Sequence, residues 1–500
     1  MRAWPLTLPL DRGQPSPLSV QIARGLTERI RAGALGPGAP LPSSRALARM
    51  LGVHRNTVLA AYGELDAEGW IRTQPARGTL VAEDLPAPPR ATPGAAGQGG
   101  RAGFDVPPAE RDPRWEPPPP GALQLLGGLP DPRLFPAALL ARAYRRALRR
   151  RENLLYGDAA GHPRLRAALA AMLGEVRGMP VGGDGVLVTR GAQMAFALAA
   201  RALFRPGDAV AVEAIGYRPA WEAFRAAGLR LVPIPVDAGG LDVDALAAGA
   251  RGGRLRGVYL TPHHQYPTTV TLSAARRLAL LELARRERMA VLEDDYDNEF
   301  HFEGRPVLPL ASVDRAGVVI YVGTLSKVLV PGIRIGFLAG PRQAMAALAA
   351  HRSYLDRQGD LALEAAVAEL FEEGEAQRQV WRARRAYAER RQAFAAALRA
   401  ELAGALELSI PPGGMAFWCR VAEGLEAEAW GRRARQEGVI VQVGTQFAFD
   451  GRSLPYLRLG YARHDPRELL DAVRRLARAR PGRAGRDLAP SPTPRARSPR

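Results

Sequence analysis

Lys327 is the only lysine among the 69 Lys and Arg side chains of this chain. Arg is planar, permanently charged and not a usable nucleophile, whereas Lys sheds its proton when desolvated and then attacks a carbonyl. One amine kept in so arginine-rich a sequence marks a place where that chemistry is needed. It stands in Thr324-Leu325-Ser326-Lys327, after the apolar run 318–323, which reads as a buried strand. Val328-Leu329-Val330-Pro331-Gly332 follows as a turn. A lysine at the end of a buried strand is where a Schiff-base lysine is held.

Three further groups could work with it. Gly191-Ala192-Gln193 follows a strand-like run and opens a helical one. Backbone N–H groups at such a start form an anion site suited to a phosphate. Asp294 and Tyr296 follow the run ending at Glu293; a carboxylate there could pair with a protonated pyridine nitrogen, and the tyrosine could bond a phenolate oxygen. Arg334 lies beyond Pro331-Gly332, where it could fold back to a phosphate. An anion nest, a pyridinium partner, an amine and a second cation, in chain order, are the parts of a pyridoxal phosphate site.

The elements that must position these groups are legible. Residues 185–189, 209–212, 257–260 and 290–293 read as short buried strands. Helical runs follow the first three of them, at 192–203, 219–227 and 273–286. Alternation of this kind predicts an α/β domain with a mostly parallel sheet, functional residues lying at strand C-terminal ends. We expect it over residues 121–480, ending in a basic amphipathic helix over 466–480.

Residues 13–82 differ. Leu18, Ile22, Leu26 and Ile30 form a helical stripe. Ser44 is the expected N-cap of a short helix over 45–51, Gly52 the turn, and 53–65 a second helix. This is a helix-turn-helix, whose second helix would enter a DNA major groove. His54, Arg55, Asn56 and Thr57 sit at its N-terminal end, where side chains reach phosphates and base edges. Residues 69–71 and 78–81 read as a hairpin wing flanked by Arg72 and Arg77, which could also contact phosphate.

Between the two parts, 83–120 is rich in Pro, Gly and Ala and reads as a flexible linker, with a reach of roughly 35 Å. Residues 481–500 read as a disordered basic tail. The net charge of +19 points to a polyanionic partner, although part of it lies in the stretch from Arg474 to Arg500, with nine Arg and one Asp. One cysteine, Cys419, excludes an intrachain disulfide and a cysteine metal cluster; no metal is expected. Apolar runs are too short for a membrane span, and the first residues lack a signal core, so a cytoplasmic protein with no membrane partner is expected.

Two motif sets carry a resemblance. Leu41-Pro42-Ser43-Ser44-Arg45-Ala46-Leu47-Ala48 with Val53-His54-Arg55-Asn56-Thr57-Val58 resembles the winged helix of GntR-type bacterial regulators. The resemblance gives DNA contacts to Arg45, Arg55, Thr57 and Gly78, with Ser44, His54 and Asn56 beside them. His54 stands where serine is common. The longer segment resembles fold-type I aminotransferases, with large and small subdomains. It does so through 156–166, Thr261-Pro262-His263-His264-Gln265-Tyr266-Pro267, Pro412-Gly413-Gly414-Met415 and Leu457-Arg458-Leu459-Gly460. His263 stands where serine is frequent, Thr269 where glycine often follows, and Met415-Ala416 where Leu-His is common. Cofactor contacts are implied for Gly191, Ala192, Gln193, Tyr217, Gln265, Asp294, Tyr296, Thr324, Lys327 and Arg334. Gln265 is expected near the phenolate oxygen and Tyr217 over the pyridine ring. Arg458 is expected to grip a carboxylate.

Together the halves resemble MocR/GabR-type transcription regulators. That implies a homodimer, often domain-swapped, binding a double-stranded DNA operator. Our first expectation is an amine or amino-acid effector sensed through aldimine exchange at Lys327; freed Lys327 would stay near the substrate carbon, which leaves room for a residual aminotransferase half-reaction. Two other readings stay open: a catalytic aminotransferase with secondary DNA binding, and a regulator sensing pyridoxal phosphate itself to control vitamin B6 synthesis.

Overall fold

The computed structural model describes residues 8–75, 77–85, 104–106, 117–304 and 307–482. Most of the expected linker and residues 483–500 of the expected tail lie outside the described residues. The chain divides into two compact units, Met1–Trp115 and Glu116–Arg500.

In the first unit, α1 (Leu18–Arg31), α2 (Ser44–Leu51) and α3 (Arg55–Ala67) precede a hairpin of β1 (Ile71–Gln74) and β2 (Gly78–Val81). Apolar spacing drives the assembly: Ile22, Leu26 and Ile30 of α1 meet Leu47, Val58, Ala61 and Leu65 in one core, closed by Ile71 and Val81. The cap of α2 is Ser43, not Ser44. Ser43 has the non-helical backbone a cap requires, and its hydroxyl accepts from the Ala46 N–H at 3.2 Å. The α3 helix begins two residues later than expected because His54 caps it, its Nδ1 accepting from Asn56 N–H at 3.2 Å.

The second unit is built on a seven-stranded sheet. Its strand order is Val186–Thr189, Gly336–Ala339, Val319–Thr324, Ala290–Asp295, Gly257–Leu260, Ala209–Glu213, Arg230–Ile234. All neighbours run parallel except Gly336–Ala339, which is antiparallel to both of its partners. Strands Val186–Thr189, Ala209–Glu213 and Gly257–Leu260 are buried along their length, which is why their sequences are mostly apolar rather than alternating. Arg230–Ile234 carries Pro233 and lies at the sheet edge, the place a strand tolerates a missing N–H. Helix Ala192–Leu203 covers one face with Phe196 and Leu198 in the core.

A smaller antiparallel sheet, Leu406–Leu408, Ala416–Val421, Tyr456–Gly460 and Gln442–Val443, packs with Glu375–Glu401 and Pro466–Arg478 around a separate core. Asp465 and Glu468 form a capping box on the last helix. Among the described residues, no helix is long and apolar enough to cross a membrane.

Candidate functional site

The C-terminal ends of the sheet strands converge on a cavity of about 390 Å³. Of the expected site residues, Ala192, Gln193, Tyr217, Asp294, Tyr296, Thr324, Lys327 and Arg334 line it. Parallel pairing places Asp294 opposite Val322, just before Thr324 and Lys327. The hairpin back to Gly336–Ala339 carries Arg334.

Lys327 meets Gly128, where an added Cβ would lie 3.4 Å from its Nζ. Burial pushes the Lys327 amine down to about 8; Arg458 and Arg334 add to this, while Asp297 and Asp294 oppose it. Asp294 accepts a hydrogen bond from the Tyr259 hydroxyl at 2.8 Å through Oδ2. Burial pushes its carboxyl up to about 7 against that hydrogen bond and Lys327. The Tyr296 hydroxyl is buried and makes no hydrogen bond, so it is a polar group that a bound molecule would satisfy.

Gly191 has φ +83 and stands ahead of helix Ala192–Leu203 with no side-chain cap on its N–H groups. A Cβ on Gly191 would come within 2.8 Å of the Arg334 guanidinium, so the glycine lets Arg334 approach the helix start. Arg334 is itself left-handed at φ 52 and donates to the Arg190 carbonyl at 3.0 Å. A helix N-terminus and a guanidinium face the same end of the cavity, an arrangement suited to a phosphate.

Arg458 is buried at 1% exposure, with Nε and Nη1 lacking any hydrogen-bond partner. Its guanidinium stacks 4.0 Å over the Tyr266 ring and packs against Gly127, and both of these residues line the cavity. A buried cation short of a partner costs about 3–5 kcal/mol. A carboxylate entering the cavity would remove that cost.

Gln265 departs from expectation. It is outside the cavity lining; its amide donates to the Ile215 and Tyr266 carbonyls, both at 2.7 Å, and accepts from the Thr268 hydroxyl at 2.6 Å. Loop backbone groups consume it, and Tyr266 faces the cavity instead. The same loop holds Thr269 at φ 66, a strained conformation for a β-branched residue. Leu126, Gly127, Gly128 and Gln442 also line the cavity, and sequence reasoning missed them. The one available signal was the Gly127-Gly128 pair, a mark of close backbone approach.

In the first unit, Arg45, His54, Arg55, Asn56 and Gly78 are exposed, and Ser44 and Thr57 are half-buried. Arg55 Nε donates to the Ser44 hydroxyl at 3.3 Å, joining α3 to α2. Gly78 opens β2 at φ +82. Arg72 pairs with Asp84 at 2.6 Å, so its charge is already partly answered. Arg77 is exposed at the hairpin turn.

Residues 128–476 match the aminotransferase class I and II family, and residues 18–81 match the gntR family of bacterial regulatory proteins. The chain is 34% identical over 479 residues to the probable rhizopine catabolism regulatory protein MocR of Rhizobium meliloti, spanning 94% of this chain and 95% of that one. It is 32% identical over 483 residues to the HTH-type transcriptional regulator TauR of Rhodobacter capsulatus, spanning 94% and 98%. A solved structure of the α-aminoadipate aminotransferase LysN from Thermus thermophilus, complexed with N-(5'-phosphopyridoxyl)-L-leucine, is similar with a TM-score of 0.66 and 34% identity. It corresponds to 72% of this chain and 92% of LysN. The chain belongs to the MocR-type transcription regulators, in which a GntR winged helix-turn-helix precedes a domain of aminotransferase fold type I. Its cofactor is pyridoxal 5'-phosphate.

The residues present fit that group. The cavity offers an amine of lowered proton affinity, a buried carboxyl, an unsatisfied tyrosine hydroxyl and an anion site at a helix start.

Proposed function

We propose that this regulator senses a small amine or amino acid bearing a carboxylate, read at Lys327 and Arg458. The observation that carries the reading is the buried Arg458 guanidinium, whose Nε and Nη1 lack hydrogen-bond partners, beside the Lys327 cavity. Bound pyridoxal phosphate supplies an aldehyde that condenses reversibly with amines. In our reading Ala192, Gln193 and Arg334 hold the phosphate end. Asp294 would pair with the ring nitrogen, and Tyr296 and Tyr217 would orient the ring. Lys327 would be the amine that holds the group until an effector amine competes for it, and Arg458 would take the effector carboxylate.

Release of Lys327 and capture by Arg458 give the two states of the domain different free energies, which is what a ligand needs to shift an equilibrium. About 1–3 kcal/mol of coupling makes a useful switch for operator binding. Arg45, Arg55, Asn56, Thr57 and the Gly78 wing are the surface we assign to the operator, with Ser44 and His54 supporting it. We place the protein in the cytoplasm as a homodimer; a solution mass near twice 53.8 kDa tests that.

The test of the effector reading is an absorbance titration of the cofactor-loaded protein with a panel of amines and amino acids, followed by operator binding. A persistent spectral shift with one carboxylate-bearing amine, accompanied by changed operator affinity, supports sensing. Rapid conversion to the amine form of the cofactor with many compounds would make it an aminotransferase. A silent panel, with operator affinity following the cofactor alone, would make the cofactor itself the signal.

A further inference from the structure

The chain has seven histidines, and three of them meet in the interior. His263, His264 and His301 each offer a ring nitrogen, and these atoms lie within 4.8 Å of one another. The residues are 3%, 2% and 6% exposed. The His263 and His264 rings meet edge-on at 4.3 Å, and those of His264 and His301 stack at 6.2 Å. None of the three lines the cofactor cavity.

Their hydrogen bonding is incomplete in a specific way. Neither nitrogen of His263 has a partner, and neither does Nδ1 of His301. Buried polar atoms are normally satisfied, so a ring with both nitrogens bare needs an explanation. His264 is held differently: its Nδ1 lies 2.8 Å from Asp297 Oδ1. A carboxylate on one ring nitrogen fixes the tautomer and leaves the other as the metal-binding one, the usual support of a metal-bound histidine. Asp297 keeps its second oxygen buried and unpaired.

The Asp297 carboxylate held against His264 would offset part of the charge of an incoming cation.

We propose that His263, His264 and His301 bind one divalent transition-metal ion of the zinc class. Imidazole donors suit zinc, and three of them leave the fourth position of a tetrahedral ion. Ligand nitrogens around such an ion stand about 3.3 Å apart, so closure from the present spacing needs a shift of about an ångström. The ion would join two segments, the 263–264 loop and the stretch carrying His301. His264 lies two residues before Tyr266, the ring beneath Arg458. His301 bridges to Gly413 of the smaller sheet's approach, where an added Cβ would sit 2.6 Å from His264 Nε2. The site would therefore tie the loop of the effector pocket to His301, whose backbone bridges to Gly413.

The experiment uses tag-free, full-length, cofactor-loaded protein, stripped with a chelator and dialysed against Zn²⁺ or Co²⁺. We expect one equivalent per chain by elemental analysis, and a Co²⁺ difference spectrum with the visible band of a tetrahedral site. His263→Ser and His301→Ala should each weaken binding at least tenfold, the scale seen for damage even to the outer support of such ligands. Retained cofactor absorbance checks that the variants fold. Substoichiometric binding by the wild-type protein would overturn the proposal, and so would equal binding by both folded variants. The wild-type stoichiometry decides the matter even if a variant fails to fold.

Discussion

The two units handle charge in opposite ways. In the winged helix, the polar side chains assigned to DNA sit outside and the core beneath them is apolar, from Ile22 and Leu26 to Leu65 and Ile71. In the cofactor domain, Asp294 and Arg458 are buried, and Lys327 is largely enclosed with its proton affinity lowered. A polyanion must be met on the surface, where each contact is modest, screened by salt and roughly additive. A small ligand can be enclosed, where water is excluded and each charge counts for much more. Single substitutions should therefore be graded in the first unit and close to all-or-none in the second.

The largest effect should come from Lys327→Ala. The visible absorbance of the lysine-bound cofactor should vanish, and with it every spectral response to amines, while operator binding by the winged helix persists. Retained absorbance would remove Lys327 from the site. Next, Arg458→Ala should keep the cofactor but weaken carboxylate-bearing amines by about 30-fold or more, since losing one side of a buried charge pair costs about 2 kcal/mol or more. Amines without a carboxylate should be unaffected, and an equal loss for both classes would break the assignment. Arg55→Ala belongs to the graded side: operator affinity should fall by about tenfold at moderate salt. A salt slope lower by about one would mark a phosphate contact, whereas an unchanged slope with relaxed sequence preference would mark a base contact.

The smallest effect sharpens the buried side. The Asp294 carboxyl is raised to about 7 from 3.8 in the folded, cofactor-free domain. The folded state thus binds this proton more tightly than the unfolded chain. Its contribution to stability is full below about pH 4 and is lost as pH rises through about 7. The melting temperature of cofactor-free protein should therefore fall less over that window in Asp294→Asn than in wild type. Parallel curves would show that Asp294 is not carrying the proton.

How far the sequence could be read depended on the range of the interaction. Helix Ala192–Leu203 and strand Gly257–Leu260 have the limits the sequence indicated, because apolar run length and the flanking turn residues are local. Ser44 was one residue from the true cap because adjacent serines offer the same local signal, and only backbone geometry distinguishes them. Strand Gly336–Ala339 gave no sign of its antiparallel insertion between Val186–Thr189 and Val319–Thr324, since a short apolar run does not specify its partners.

The same division separates what each level decides about function. By itself the sequence determined the order of the parts: a helix-turn-helix, then a glycine turn at a helix start, an acid after a strand, the sole lysine and two arginines. Those roles follow from residue type and from position after a strand. Only the tertiary structure decided that Gln265 is spent on its own loop and Tyr266 faces the cavity, that Arg458 is left partnerless above that ring, and that three histidines meet beside Gly413. Each of those outcomes depends on which distant segments pack together. Packing of that kind is set by the closure of the two sheets, and no spacing along the chain encodes it.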